Sequence, residues 1–379
     1  MKKTITLVLL SCLFIGICGI LLFTFQNRKR INKEEPAASV EANSLTTAIE
    51  TKEATLEEIE SIPVVPPKQE ITLLFSGDIL LSDYILNNYE QHGISGVLSE
   101  AFIQEMNTAD ITMVNQEFPF SLRGSKAADK QYTFRVDPKK VILLKELGVD
   151  IVTLANNHTL DFGEEALLDT CSTLEEADIQ YVGAGNNLDR AKQLETITVN
   201  DKIIGFLGAS RVIPVPGWNA TSNKPGVFTT YDPALLLEEI KKAKELCDVV
   251  IVYIHWGIER EELPQDYQRS LGMQYIDAGA DLVIGSHPHV LQGIEYYEGK
   301  PIVYSLGNFL FESSIPKTML LKVTIDENEK LQMYVLPGTA VEGYTDNLLE
   351  EKAKEIYSYL EAISFGVSIT ENGEIIQKN

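Results

Sequence analysis

Five apolar stretches of this sequence end in side chains that can hold a metal ion or move a proton. "LLFSGD" ends in Asp78, "ITMVNQE" in Asn115 and Glu117, and "DIVTLANNHTLDFG" in Asn156, Asn157, His158 and Asp161. "DVVIVYIHWGIE" closes on His255 and Glu259, and "DLVIGSHPH" on His287 and His289. Each has an ordinary reading when taken alone. Asp78 suits a turn, Glu117 a solvated surface, and the Asn156–Asn157 pair a turn or a helix start. His255 suits a half-buried imidazole satisfied by backbone. The joint pattern is harder to set aside, because four of the five histidines follow apolar strand-like runs. The fifth, His92 in "YEQHGISG", reads as a loop residue.

Imidazoles, carboxylates and an amide oxygen together suit a borderline divalent ion such as Mn, Fe or Zn. Glu117 could bridge two of them. Two ions about 3.5–4 Å apart clamp a phosphoryl group and generate a hydroxide nucleophile at neutral pH. In "SHPH" the proline removes a backbone donor and disfavours the α conformation at His287. The segment is therefore expected to be extended, with His287 and His289 on one side. Ligands need partners of their own, and Asp161, Gln292 and Asn308 are candidates by position.

The elements that must position these residues alternate. Strand-like runs are expected over 71–75, 111–114, 151–154, 203–207, 249–254, 282–284 and 302–304. Helical periodicity recurs over 138–147, 164–177, 233–246 and 266–278, with Asp137 before Pro138 and Asp232 before Pro233 as cap-then-proline starts. Alternation of this kind argues for an α/β domain whose sites lie at the carboxyl ends of strands. Hairpin signals at Asn200–Asp201 and Glu298–Gly299 favour a mixed sheet or two packed sheets over a purely parallel one. Two more strands, around the turn "ENE", and a helix over 347–363 are expected near the end.

The chain has 379 residues and a formal net charge of −23. That charge argues against a nucleic-acid binder. It also means that an anionic substrate must be held locally, for example by bound cations. Residues 4–25 are uncharged and largely apolar, long enough to span a bilayer, and "QNRKR" stops the run. An uncleaved anchor over 1–30 is expected; lipoprotein processing at Cys12 is the alternative. The flanking charges nearly balance and do not orient the anchor. Residues 31–68 read as a disordered stalk, with a short helix near 56–62, and 69–379 as the folded domain. Cys171 and Cys247 read as buried free thiols.

"FSGDILLSD", "VNQEFPFS", "LANNHTLDFG", "YIHWGIE", "GSHPHVLQGIE" and "VYSLGNFLFE" together resemble the CapA family of capsule-synthesis proteins, associated with poly-γ-glutamate, over residues 71–311. That family is similar to the calcineurin-like metallophosphoesterases. The resemblance implies an α/β sandwich: two mixed β-sheets flanked by helices. It implies Asp78 as first aspartate, Glu117 in place of the bridging aspartate, and Asn157–His158 as a metal-binding asparagine with a proton-donating histidine. His255 matches the middle histidine, and His287 and His289 the closing pair. Those enzymes carry Asp-x-His in the first motif, whereas Leu80 stands at the histidine position here.

The leading expectation is a single-pass membrane protein with its C-terminal domain outside the cell. It would act on poly-γ-glutamate or a related anionic envelope polymer by hydrolysis or transfer, using two divalent ions. His158 would protonate the leaving group and Asp161 would orient His158. One alternative is a non-catalytic partner that binds nascent polymer or the membrane-bound synthase. A second is a general metal-dependent phosphodiesterase.

Overall fold

The computed structural model describes residues 70–311 and 313–378. The expected anchor, stalk and short helix near 56–62 lie outside them. Among the described residues no helix is long and apolar enough to cross a membrane.

All seven apolar runs form strands. β1 (Ile71–Ile79), β2 (Ile111–Gln116), β3 (Ile151–Thr153) and β4 (Gln180–Val182) lie side by side and parallel. After β5 (Ala184–Gly185) the chain builds a second sheet from β6 (Glu195–Val199) and β7 (Lys202–Ser210). β8 (Gly226–Val227) pairs with β5 in a short two-stranded ribbon. β9 (Val249–His255), β10 (Leu282–Ser286), β11 (Leu291–Tyr297) and β12 (Lys300–Leu306) complete the second sheet, in the order β11-β12-β10-β9-β7-β6. Its four inner strands are parallel and its two edge strands antiparallel.

The chain then returns to the first sheet. β13 (Asn308–Leu310) pairs with β1, and β14 (Ser314–Ile325), β15 (Leu331–Val341), β16 (Tyr344–Asn347), β17 (Val367–Ile369) and β18 (Glu374–Gln377) extend it. The sheet is mixed, ordered β17-β18-β15-β14-β1-β2-β3-β4.

Side-chain alternation sorts the layers. On β1, Leu73 and Phe75 join Ile251 and Tyr253 of β9 in a core between the sheets. Leu74 faces the other way, into a core with Phe102, Leu143 and Leu167 from helices. Val250 and Val252 do the same on the second sheet, against Leu236, Ile240 and Tyr275. The result is a helix–sheet–sheet–helix sandwich. Burial on both faces explains why these strands read as nearly unbroken apolar runs, and each large side chain so buried contributes roughly 1.5–3 kcal/mol.

The expected caps form. Asp137 accepts from the Lys139 amide at 2.9 Å, ahead of the helix Val141–Glu146, and Asp232 accepts from Ala234 at 3.0 Å, ahead of Ala234–Leu246. The helices Gly163–Glu176 and Asp266–Ala278 match their expected ranges closely. Asn200 and Asp201 both have positive φ, 48° and 63°, as a two-residue hairpin between twisted strands requires. Three expectations need correction. The helices Asp83–His92 and Glu100–Thr108 were not anticipated, and His92 ends the first of them instead of lying in a loop. The last helix starts at Glu350, because Tyr344–Asn347 is drawn into pairing with β15. Cys171 and Cys247 are buried free thiols, as expected.

Candidate metal centre

The parallel strands of both sheets end on the same side of the sandwich, and their ends carry the polar residues. The first sheet supplies Asp78, Glu117 and Asn157. The second supplies His255, His287 and His289.

Asp78 is held by a close backbone crossing. A Cβ on Gly77 would lie 1.9 Å from the Gly307 carbonyl oxygen, so only glycine lets β1 pass. The same oxygen accepts from the Asp78 amide at 2.8 Å. The Asp78 side chain, 0% exposed, accepts from Asn115 Nδ2 at 2.7 Å and from the His287 amide at 3.3 Å. Asn115 in turn accepts from Asn156 Nδ2 at 3.0 Å, and Asn156 Oδ1 accepts from the His158 amide at 3.0 Å. This amide relay fixes the turns that follow three neighbouring strands. Asn115 and Asn156 are thus braces.

Glu117 lies one residue past β2 and is also 0% exposed. Its Oε1 is 3.5 Å from His255 Nε2 and its Oε2 is 4.0 Å from His289 Nδ1. Neither oxygen has a hydrogen-bond partner among the described residues. Asn157 Oδ1 is 2.8 Å from His255 Nε2, and Ser286 Oγ is 3.1 Å from His255 Nδ1. His287 Nδ1 is buried and also without a partner among the described residues. His289 Nδ1 lies 2.7 Å from Asn308 Oδ1 and 3.3 Å from Asp78 Oδ2.

These atoms form two overlapping donor sets that share Glu117. Glu117, His255 and His287 present donor atoms within 4.8 Å of one another, and so do Asp78, Glu117 and His289. Asn157 joins the first set through His255. Glu259, exposed at the rim, forms a third grouping with His287 and His289. A buried carboxylate with no donor costs several kcal/mol, as does an unpaired buried imidazole nitrogen to a lesser degree. A divalent cation would satisfy both, so these residues fit one.

The electrostatics agree. Burial, with the Asp78 carboxylate beside it, raises Glu117 well above the ordinary carboxyl range. Burial lowers His255 well below its usual value, helped by His287 and His289, and takes His287 down to about 3. Both are therefore neutral imidazoles, the form that binds metal. Burial alone would lower His289 too, but Glu117, Asp78 and Asn308 together push it up to about 10.

Two expectations about the site are corrected. The "SHPH" segment is not extended: β10 ends at Ser286, and His287 and His289 have φ of 102° and 58°. The left-handed turn is held by its own amide groups, because His287 N–H donates to Asp78 and the Pro288 carbonyl accepts from Arg260 N–H at 2.8 Å. Both imidazoles still reach the cluster. Gln292 does not brace a ligand. It accepts from Gln268 and donates to the Glu261 carbonyl, pinning the loop after His255.

Leu80, at the position where a histidine was expected, is 6% exposed and packs in the core between the first sheet and its helices.

His158 stands beside the cluster. Its Nδ1 is 2.7 Å from Asp161 Oδ2, and its ring packs 4.4 Å from that of Phe134. Lys130, which sequence reasoning missed, places Nζ 2.9 Å from the same Nδ1 and also bonds Asp161 Oδ1 and the Asn157 carbonyl. Burial lowers both His158 and Lys130, with Asp161 opposing the shift in each case. Lys130 lies in a polar loop, where a lone cation reads as solvated, so no local signal marks it.

Comparison with known proteins places this site in context. The chain matches the bacterial capsule synthesis protein family PGA_cap over residues 72–313. It is 35% identical over 247 residues to the PGA biosynthesis protein CapA of Bacillus subtilis, a match covering 64% of this chain and 64%, just under two thirds, of that relative. It is 31% identical over 337 residues to the capsule biosynthesis protein CapA of Bacillus anthracis, covering 84% of this chain and 81% of that one. The crystal structure of a phosphatase from Mycoplasma pneumoniae superposes with a TM-score of 0.47 at 14% identity, covering 77% of this chain and 99% of that one. Likeness at that level says nothing about activity.

Proposed function

We propose, for a chain that belongs to the PGA_cap family of bacterial capsule synthesis proteins, a membrane-anchored accessory protein of capsular poly-glutamate synthesis that acts outside the cell on the envelope polymer by metal-dependent hydrolysis or transfer. The observation that carries the metal is Glu117, a fully buried carboxylate with no donor to either oxygen among the described residues, set between two groups of metal-competent side chains.

Glu117, Asn157, His255 and His287 would hold one divalent ion, and Asp78, Glu117 and His289 a second. Ions of the Mn, Fe or Zn type supply Lewis-acid stabilisation of developing negative charge and lower the pKa of a water. The remaining work falls to the chain. Asp161 and Lys130 fix the His158 ring through Nδ1, which leaves Nε2 to give a proton to a leaving group. Asn115 and Asn156 hold the Asp78 and His158 turns in register. The apolar run over 4–25 supports the anchor and the stalk supports reach from the membrane.

The test is elemental analysis of the full-length protein after Mn loading. Two ions per chain are expected, with loss in His287→Ala and His289→Ala. No stoichiometric metal in the parent protein overturns the reading.

Leu80 favours a second reading. With a core leucine where a ligand was expected, the second site has one donor fewer, and the domain would serve as a non-catalytic partner of the polymer or of the synthase. Complementation separates the two. Full polymer output from a Glu117→Gln, His255→Ala variant at normal protein levels makes catalysis unnecessary.

A further inference from the structure

The loop after β9 carries one acid that the two donor sets leave unused. Glu259 presents a carboxylate oxygen within 4.8 Å of donor atoms on both His287 and His289. In that grouping His287 is 5% exposed, and its Nδ1 has no hydrogen-bond partner among the described residues. The loop is fastened to the turn that holds the two histidines. The Trp256 amide donates to the Ser286 carbonyl at 3.0 Å and the Arg260 amide to the Pro288 carbonyl at 2.8 Å. Gln292 Nε2 donates to the Glu261 carbonyl at 2.8 Å. Gly257, at φ 95°, lets the loop pass close: a Cβ there would lie 2.9 Å from Pro288 Cγ. Glu259 is thus flanked on both sides by backbone tied to the cluster, and its charge is felt inside. Burial dominates at Glu117 and at Lys130, and the Glu259 carboxylate acts on both.

Counting donors says where this carboxylate belongs. Glu117, Asn157, His255 and His287 already form a complete set for a four-coordinate ion. Asp78, Glu117 and His289 are one short, because Leu80 packs in the core at the position where a histidine was expected. An ion belonging to Glu259 alone would need His287 and His289, which the other two sets use. We infer that Glu259 is the missing ligand of the second set, supplied from the rim of the second sheet in place of a side chain on β1. A carboxylate oxygen in place of an imidazole nitrogen keeps the set suited to a divalent ion such as Mn. The inference rests on the metal-centre reading, and it removes the shortfall that favours the non-catalytic one.

The test is a Mn titration of the full-length protein, followed by the EPR signal of free Mn, in the parent, Glu259→Gln and Glu261→Gln. Glu261 is an exposed acid of the same loop that joins none of the metal-competent groupings among the described residues, so it controls for charge alone. The parent is expected to bind two ions and to show the spin coupling of a close pair. Glu259→Gln should keep one ion at parental affinity, which also reports an intact fold. It should bind the second at least roughly tenfold more weakly, since even partners one shell beyond the ligands matter that much, and lose the coupled signal at two equivalents of Mn. Glu261→Gln should match the parent. Two ions at parental affinity in Glu259→Gln, or equal weakening in both variants, overturns the ligand and leaves the metal centre standing. A parent that holds a single ion overturns the completed second set and leaves the first. A parent that holds none overturns the metal centre and this ligand with it.

Discussion

Glu117→Gln should move the metal-free and metal-loaded proteins in opposite directions. Without metal, the Glu117 carboxyl is buried, undonated and next to Asp78, so its folded pKa is raised. The folded state then keeps a proton that the unfolded chain releases. Stability from this group is complete below the ordinary carboxyl range and drains away as pH rises towards the folded pKa, at about 1.4 kcal/mol per pH unit. His289, pushed up to about 10, adds a slope of the same sign above its ordinary value. Because Glu117 is the largest influence raising His289, the variant relaxes both groups, and the difference between variant and parent reads the coupled pair. Glutamine removes the ionisation but leaves an amide short of partners. The net gain at pH 8 is about 1–3 kcal/mol, or about 2–6 °C in melting temperature for a domain of this size. At pH 5 the gain should nearly vanish. With Mn at about a hundred times its Kd the parent gains roughly 2.7 kcal/mol by mass action, and the variant loses most of that. Thermal melts at pH 5 and pH 8, with Mn and with chelator, read all four quantities. A metal-free variant that melts below the parent at pH 8, or one that keeps the full Mn shift, refutes the reasoning.

Leu80→His tests whether the absent ligand can simply be restored. Because Leu80 packs in a core, the change should cost about 2–5 kcal/mol without raising metal content, as read by melting and elemental analysis. Gly77→Ala forces a Cβ against the Gly307 carbonyl and displaces Asp78; a loss of about 1–3 kcal/mol and of roughly one ion per chain is expected from the same measurements. Lys130→Met removes a cation that depresses His158, so the His158 imidazole should titrate higher by NMR, with metal content intact. Metal affinity should fall steeply on acidification through neutral pH, since binding displaces protons from Glu117 and His289; a pH-independent affinity contradicts the assignment of those two ligands.

Much of this was legible in the sequence because it depends on local pattern. A strand buried on both faces must be apolar along its length, so the seven runs could be found, and the metal-competent side chains stand out by ending those runs. The hairpin at Asn200–Asp201 was visible for the same reason, since two residues of positive φ favour Asn and Asp. What was missed depends on tertiary context. The helix Glu100–Thr108 shows only Phe102 and Met106 as its buried pair, too short a stripe to separate from loop. Lys130 matters only because folding brings it to Asp161 and His158. The two histidines around Pro288 were expected on an extended backbone and lie in a left-handed turn, since no local rule anticipates a turn that distant amide contacts hold. Gln292 was misassigned for the converse reason: nearness in sequence to His289 did not make it a neighbour of the cluster.

The donors come half from each sheet, and Asp78 and His289 lie at opposite ends of most of the folded sequence. No hairpin or single βα unit owns a complete set. The centre can therefore assemble only after both sheets have formed and docked, late in a folding reaction already slowed by non-local strand pairing. Metal uptake then becomes a timer for the finished fold. Refolding followed by metal-dependent fluorescence quenching should lag behind refolding followed by backbone signals, and ions bound across the seam should slow unfolding more than they speed folding.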